Sequence, residues 1–393
     1  MLKLLIGGSP CTHWSIAQTK HRETEPSGIG WELFQNFLIA REKYRPDYFL
    51  YENNKSMAPA IRAQITRELG VEPILINSAL VSAQSRQRLY WTNIPGVEQP
   101  EDRGLLLRDV LDDGEVFGVD SRGKAFALTA SYYKGEPPER TIARHQRTQV
   151  ALPLRVGLFP NRAGETKNNQ SKRIYSPEGK FVALCTNNGE KVAQPVQLAT
   201  GAAWRGREGG AAFEVRGDKK SNAVITGHQS RFVVEWWDGK TYPAYEVQDG
   251  LITIKDKTYP IKLVDGYYII RKLTVSECMR LQTVPAWYSF PVSNTQAYKM
   301  LGNGWTVDVV AHILSYAPGI DAEPVEVLGM YDGMSCGHIA LDKLGAAVSC
   351  YYAMEIDKYA IQTTQHNYPD TVQLGDAFQV REDGWWPERK EST

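Results

Sequence analysis

The sequence predicts an α/β fold, a largely parallel sheet with helices on both faces that is interrupted by a long β-rich insert. Three observations carry that expectation. Short apolar runs alternate with amphipathic stretches of helical period over residues 1–95, the pattern of strands joined by crossover helices. From about Gly96 to Tyr268 the texture changes: Gly, Pro, Asn and Thr rise, and brief β-type runs are separated by turn residues. After Pro318–Pro324 a fresh strand and helix series begins, with the look of the opening half of a nucleotide-binding fold out of its usual place.

Taken in order, Leu2–Ile6 is a continuous apolar run ended by Gly7-Gly8, as expected of a buried parallel strand. Trp31–Tyr44 has helical spacing, and Pro46 stops it before a second apolar run, Asp47–Tyr51. Ala58–Gly70 reads as a helix closed by a glycine C-cap. Pro73–Asn77 and Leu89–Thr92 read as two more strands. Within the insert, Phe232–Val234 and Leu251–Ile254 are β-type, and Gly123–Ser131, Gly179–Thr186 and Lys219–Thr226 share a weak pattern of recurring hairpin pieces. Helical spacing returns at Leu273–Leu281 and Thr306–Leu314. The last part reads β-α-β-β over Val325–Met330, Cys336–Leu344, Ser349–Glu355 and Asp370–Leu374.

Composition narrows the classes. At 393 residues, 42% hydrophobic and 23% charged, the chain suits about two globular domains rather than a disordered one. No run approaches the roughly 20 apolar residues that span a bilayer, and the apolar start is too short for a secretory signal. Five scattered cysteines form neither a zinc pattern nor a disulfide framework, so no metal is expected and a reducing cytoplasm is. The net charge of zero hides a split. Arg140–Arg231 holds sixteen Lys and Arg against six Asp and Glu, the profile of a phosphate-binding module on an acidic body.

The chemistry-bearing residues sit at the ends of the expected strands. Gly7-Gly8-Ser9-Pro10-Cys11 follows the first: the glycines admit a close backbone approach, Pro10 stiffens the turn, and a helix starting near Thr12 would favour the thiolate of Cys11. Taken alone, a cysteine there reads more readily as a small core hydrophobe than as a nucleophile. Tyr51-Glu52-Asn53 closes the second strand, where α/β folds bind ligands, although a solvated or capping Glu would look the same. Gln84, Arg86 and Arg88 alternate, so a strand would put all three on one face, toward an anion or a polar base edge.

Together these elements resemble the DNA cytosine-5 methyltransferase family. Gly-Gly-Ser-Pro-Cys is similar to its nucleophile loop, Glu52-Asn53-Asn54 to its Glu-Asn-Val element, and Gln84-x-Arg86-x-Arg88 to its paired-arginine strand. Leu273–Pro285 resembles the helix after the target-recognition domain, and Leu301-Gly302-Asn303-Gly304-Trp305 the late Gly-Asn element. Leu328–Gly337 is similar to the methyl-donor loop, in the Phe-Asp-Gly form of the animal de novo DNA methyltransferases. Met354-Glu355-Ile356-Asp357 resembles the ribose-binding strand end, and Gly375-Asp376-Ala377 the adenine turn. Asn54 stands in place of the family's Val, and Gly304-Trp305 in place of a commoner Ser-Val.

The resemblance implies a Rossmann-like S-adenosylmethionine-dependent methyltransferase sheet, circularly permuted, with an inserted β-rich target-recognition domain. It implies catalytic parts at 1–95 and 269–317, recognition at 96–268, a linker at 318–324 and cofactor binding at 325–393. Cys11 would attack carbon 6 of a flipped-out cytosine, Glu52 would bond ring nitrogen 3, and Arg86 and Arg88 would hold the base oxygen or a phosphate. Ser9, Gln84 and Asn53 would contact the substrate. Pro10, Asn303, Gly304, Trp305, Tyr331, Asp332, Gly333, Met334, Glu355, Ile356, Asp376 and Ala377 would line the S-adenosyl-L-methionine site. The partner implied is double-stranded DNA, bound by a monomer in the cytoplasm of a bacterial or phage-infected cell. The same chemistry on RNA, or a catalytically silent DNA-binding regulator, is the alternative. The long insert argues against the first, and the intact Cys11, Glu52 and arginines against the second.

Overall fold

The computed structural model describes residues 1–15, 22–112, 115–117, 119–144, 147–153, 155–158, 173–175, 202–207, 210–215, 233–235, 241–255, 257–261, 263 and 265–385. The chain divides into two compact units. One comprises Met1–Val110, Val119–Gly135 and Thr274–Thr393, the other Leu111–Gly118 and Glu136–Leu273.

The first unit is built on a seven-stranded sheet. Its strands are β1 (Leu2–Gly7), β2 (Tyr48–Asn54), β3 (Ile74–Asn77), β4 (Gln87–Thr92), β5 (Val325–Met330), β6 (Val348–Met354) and β7 (Val372–Gln373), in the order β7-β6-β5-β1-β2-β4-β3. The last strands of the chain therefore lie beside the first. β1 pairs in parallel with β5 on one side and β2 on the other, and β5, β6 and β7 continue in parallel. β4 is the exception in this largely parallel sheet, running antiparallel to both β2 and β3. Residues 78–86 are too short a connection for the crossover that a parallel neighbour requires.

Period-two alternation divides the apolar side chains between two layers. Leu5, Phe49, Tyr51, Leu89, Trp91, Leu328, Met330 and Met354 face a core completed by Phe34, Phe37 and Tyr44 of α1 (Gly28–Tyr44) and Ile61, Ile65 and Leu69 of α2 (Pro59–Leu69). α2 ends at Gly70, whose positive φ of 74° makes the glycine C-cap expected from the sequence. The return segment supplies α3 (Val275–Leu281), opened by a Thr274–Glu277 capping box, then α4 (Asn294–Asn303) and α5 (Val307–Leu314). On the opposite face of the sheet, His338 of α6 (Cys336–Leu344) lies between Tyr351 of β6 and Tyr368, stacked on both. Tyr368 follows α7 (Lys358–Asn367), a helix absent from the β-α-β-β expectation. Its Thr-Thr and His-Asn pairs are weak helix formers, and the Asp357 side chain, accepting from the Tyr359 N–H at 2.8 Å, caps it instead.

Residues 96–110 and 119–135 cluster with this unit rather than with the insert. The buried Lys124 explains part of that, since its ammonium donates to the carbonyls of Ala79, Ser82 and Leu105. No full hairpin forms at Gly123–Ser131; Ala125–Phe126 pairs in parallel with Gln84–Ser85, and Ala125 also makes an isolated antiparallel bridge to Val119. The other two stretches of that pattern, 179–186 and 219–226, lie outside the described residues, as does most of the basic stretch 140–231.

The second unit is β-rich. An antiparallel sheet runs Lys257–Pro260, Leu251–Ile254, Thr241–Gln248, Gly266–Lys272, Gln149–Pro153 and Glu115–Phe117, and Val233–Glu235 also pairs with Thr241–Gln248. Ala151, Val247, Ile252, Ile254, Tyr268 and Ile270 form its core.

Candidate active site

Strand register decides which residues can meet. Gly7 is level with both Met330 of β5 and Tyr51 of β2, and Met330 is level with Met354 of β6. The loop to Cys11, the Glu52 element, the Tyr331–Ser335 loop and Glu355 therefore all leave the sheet at its carboxyl edge, on four adjacent strands. At about 4.8 Å per strand, β6 and β2 are roughly 14 Å apart.

Glu52 is the focus of the β2 end. It is 8% exposed, with Oε1 facing the Arg88 guanidinium at 2.9 Å and Oε2 accepting from the Trp305 indole N–H at 2.8 Å. The preceding loop is fastened to the same strand end. Ser9 Oγ lies 2.6 Å from the Tyr51 hydroxyl, and Asn53 Nδ2 donates to the Ser9 carbonyl at 3.1 Å. Gly8 permits that approach: a Cβ there would stand 2.7 Å from the Glu52 carbonyl oxygen. Cys11 opens a three-residue 3-10 helix, Cys11–His13, in place of the longer helix expected near Thr12, so little helix dipole is available there. A cleft of about 390 Å3 is lined by Ser15, Asn54, Lys55, Ser56, Gln87 and Arg88.

At the β5 and β6 ends, Glu355 is held by backbone donors. Its Oε2 accepts from the Gly333 N–H, and Oε1 from Ile356 and Asp357, each at 2.8 Å. Gly333 adopts φ 59° and has open space where a side chain would project, while the apolar Ile356 is 72% exposed. Asp332 accepts from the Tyr351 hydroxyl at 2.6 Å and from the Ser335 hydroxyl. Burial pushes Asp332 up to about 6, further raised by the Glu355 charge and opposed by both hydroxyls. The Gly304 backbone abuts this loop, a Cβ there lying 3.1 Å from Cys336 Sγ. Burial holds the Cys336 thiol up at about 12, which removes it as a rival nucleophile.

Several assignments change. Gln84, Arg86 and Arg88 do not share one face, because the strand breaks at Arg86. Gln84 is fully buried: its amide donates to the Leu281 carbonyl and accepts from the Leu128 N–H. Arg86 donates to the carbonyls of Leu128, Gly302 and Gly304, so it fixes backbone instead of facing a ligand. Ser9 and Asn53 are buried and bonded to each other, which ties the loop to β2. Met334 and Ala377 are buried, whereas Asp376 is exposed and caps the 3-10 helix Ala377–Arg381 with one carboxylate oxygen, which accepts from the Phe378 N–H. Tyr331 is anchored by its hydroxyl to the Leu33 carbonyl. Pro10 and Asn303 are exposed. Asn54 in place of Val is satisfied locally, donating to Asn53 Oδ1 and accepting from Ser56.

Gln282, Ser335 and Tyr351 are outside the set of residues expected to act, yet each holds a piece of the site. Gln282 donates to the Leu301 and Gly304 carbonyls and accepts from Thr306. Its position just after α3, in Leu281-Gln282-Thr283, is the one signal that points to it.

A parallel-cored sheet with ligand-binding loops at its carboxyl edge, an acidic strand end and an aligned Gly-rich loop defines a Rossmann-like S-adenosylmethionine-dependent methyltransferase. The family model for C-5 cytosine-specific DNA methylases matches residues 2–101 and 139–317, and the chain belongs to that family. It is 26% identical over 373 residues to the orphan methyltransferase M.SPRI of Bacillus phage SPR, covering 79% of this chain and 81% of that one. Over 336 residues it is 23% identical to the orphan methyltransferase M.SPBetaI of Bacillus phage SPbeta, with 72% and 68% covered. Among solved structures it is similar to the S. pombe Dnmt2 methyltransferase, at 13% identity and a TM-score of 0.33, over 79% and 76% of the two chains.

The family's methyl donor is S-adenosylmethionine, and the residues present fit it. Two carboxylates, Asp332 and Glu355, suit a cationic cofactor and would repel a phosphate. The exposed Ile356 offers an apolar face for a base beside the carboxylate that would take ribose hydroxyls. Among the described residues no group of His, Cys, Asp or Glu could hold a metal ion, and no helix is long and apolar enough to cross a membrane.

Proposed function

We propose that the chain methylates carbon 5 of a cytosine flipped out of double-stranded DNA, through a covalent adduct on Cys11. In this reading the family's elements run in circularly permuted order, the donor loop following the nucleophile in the chain. The observation that supports it best is the register of Gly7 with Tyr51 and Met330, which brings the nucleophile loop, Glu52 and the donor loop to one edge.

Bound S-adenosylmethionine supplies an electrophilic methyl group. The Cys11 thiolate forms a bond to carbon 6, which makes carbon 5 nucleophilic. Glu52, carrying a proton on one carboxyl oxygen for this step, donates a hydrogen bond to ring nitrogen 3 and neutralises charge developing there, while Arg88 holds the other oxygen in place. After carbon 5 takes the methyl group, a base removes its proton and the electron pair expels the Cys11 thiolate. Flipping costs a few kcal/mol of stacking and pairing, to be offset by grip from the β-rich unit, residues 111–118 and 136–273. Its basic stretch suits phosphate contacts.

A duplex carrying 5-fluorocytosine tests this directly. Fluorine at carbon 5 cannot leave as the proton does, so the adduct persists. Mass spectrometry should find the oligonucleotide on the peptide containing Cys11; a stable adduct at another residue, or none, contradicts the reading.

Cofactor contacts carry two further expectations. Glu355→Ala should weaken S-adenosylmethionine binding about 10- to 100-fold, as loss of hydrogen bonds to a charged acceptor does, measurable by calorimetry. Binding should also depend on pH through Asp332. With that carboxyl held near 6 by burial, it is neutral at pH 5 and ionised at pH 7, so affinity for the cationic donor should rise across that interval and level off above it. In Asp332→Asn the same titration should be flat.

A further inference from the structure

We infer that Trp305 is a positioning residue for Glu52 rather than a cofactor-binding one; this rests on Glu52 being the group that meets the base. The polar atom of the indole is committed to the carboxylate, its N–H donating to Oε2 at 2.8 Å, opposite the Arg88 contact on Oε1. Two fixed points, one on each oxygen, define the carboxylate plane. A terminal torsion of this kind is otherwise broad and readily rotated.

Trp305 is itself tightly held. On its N-terminal side the Gly304 carbonyl accepts from Arg86 at 2.9 Å and from Gln282 at 3.2 Å. On its C-terminal side the Thr306 hydroxyl donates to Gln282 Oε1 and accepts from Ser78. These partners are buried, which limits the freedom of the backbone from which the indole projects. The ring also reaches the nucleophile loop, its Cζ2 lying 3.4 Å from where a Gly8 Cβ would be. One side chain thus spans from the carboxylate to the loop that carries Cys11.

The test separates the N–H from the ring. Trp305→Phe keeps an aromatic ring but removes the donor. Trp305→His keeps a five-membered ring whose Nε2 superposes on the indole nitrogen, so the donor survives without the larger ring. Steady-state transfer to duplex DNA, with cofactor affinity by calorimetry, should show kcat about tenfold lower in the Phe variant, the scale of one lost hydrogen bond to a charged group. The His variant should recover most of it, and cofactor Kd should stay within twofold in both. If the Phe variant fails to fold, the His variant alone decides: near-normal kcat supports the inference, and a tenfold loss overturns it. Weakened cofactor binding with kcat maintained would also overturn it. Absence of transfer by the unsubstituted enzyme would instead count against the proposed function.

Discussion

Cys11→Ser is expected to lower methyl transfer by more than about 10⁴-fold, the scale of losing a covalent nucleophile that acts together with its partners. The reason lies in the attacking atom. A thiol of ordinary pKa about 8.5 is already a few per cent thiolate at neutral pH, whereas a serine hydroxyl is not ionised there and is intrinsically far weaker. The short 3-10 turn at Cys11–His13 gives a hydroxyl no compensating activation. DNA affinity should survive, because the phosphate contacts proposed for the β-rich unit, residues 111–118 and 136–273, do not involve Cys11. Gel-shift titration beside a transfer assay checks both halves. Transfer persisting in the serine variant would remove Cys11 from the mechanism.

Glu52→Gln is expected to cost about 10²- to 10³-fold in kcat, the range seen when one electrostatic stabiliser is lost. The substitution preserves volume, so packing around the 8% exposed side chain should hold. The hydrogen bonding does not survive it. Both Arg88 and Trp305 are donors to the carboxylate, and an amide can accept on one side only. One donor is left facing an NH2 group, and the amide turns out of place. Calorimetry should find cofactor binding unaffected, since Asp332 and Glu355 follow other strands, β5 and β6. Unchanged kcat in Glu52→Gln would mean that Glu52 does not meet the base.

Much of this site is legible in the amino-acid sequence, for a physical reason. Buried parallel strands read as apolar runs, and their carboxyl ends are where polar residues such as Glu52, Asp332 and Glu355 interrupt the run. Where side chains point is not legible in the same way. Gln84, Arg86 and Arg88 alternate as one strand face would, but the chain breaks at Arg86 and turns two of the three inward. Ser9 and Asn53 read as substrate contacts because they flank the reacting groups, whereas their polar atoms brace the loop against β2. Helix α7 is hidden by its poor formers, and β4 is legible as a strand but not in its antiparallel direction, which composition does not encode. The Trp305–Glu52 contact joins residues more than 250 positions apart, and nothing local announces it.

The central claim is that Cys11, Glu52 and the loops after β5 and β6 serve one reaction on cytosine in DNA. Incubation with methyl-labelled S-adenosylmethionine and unmethylated duplex DNA, followed by digestion to nucleosides and chromatography, measures that outcome. Label should elute as 5-methyl-2′-deoxycytidine alone. Label on an exocyclic amino group, or DNA that stays unlabelled, would contradict it.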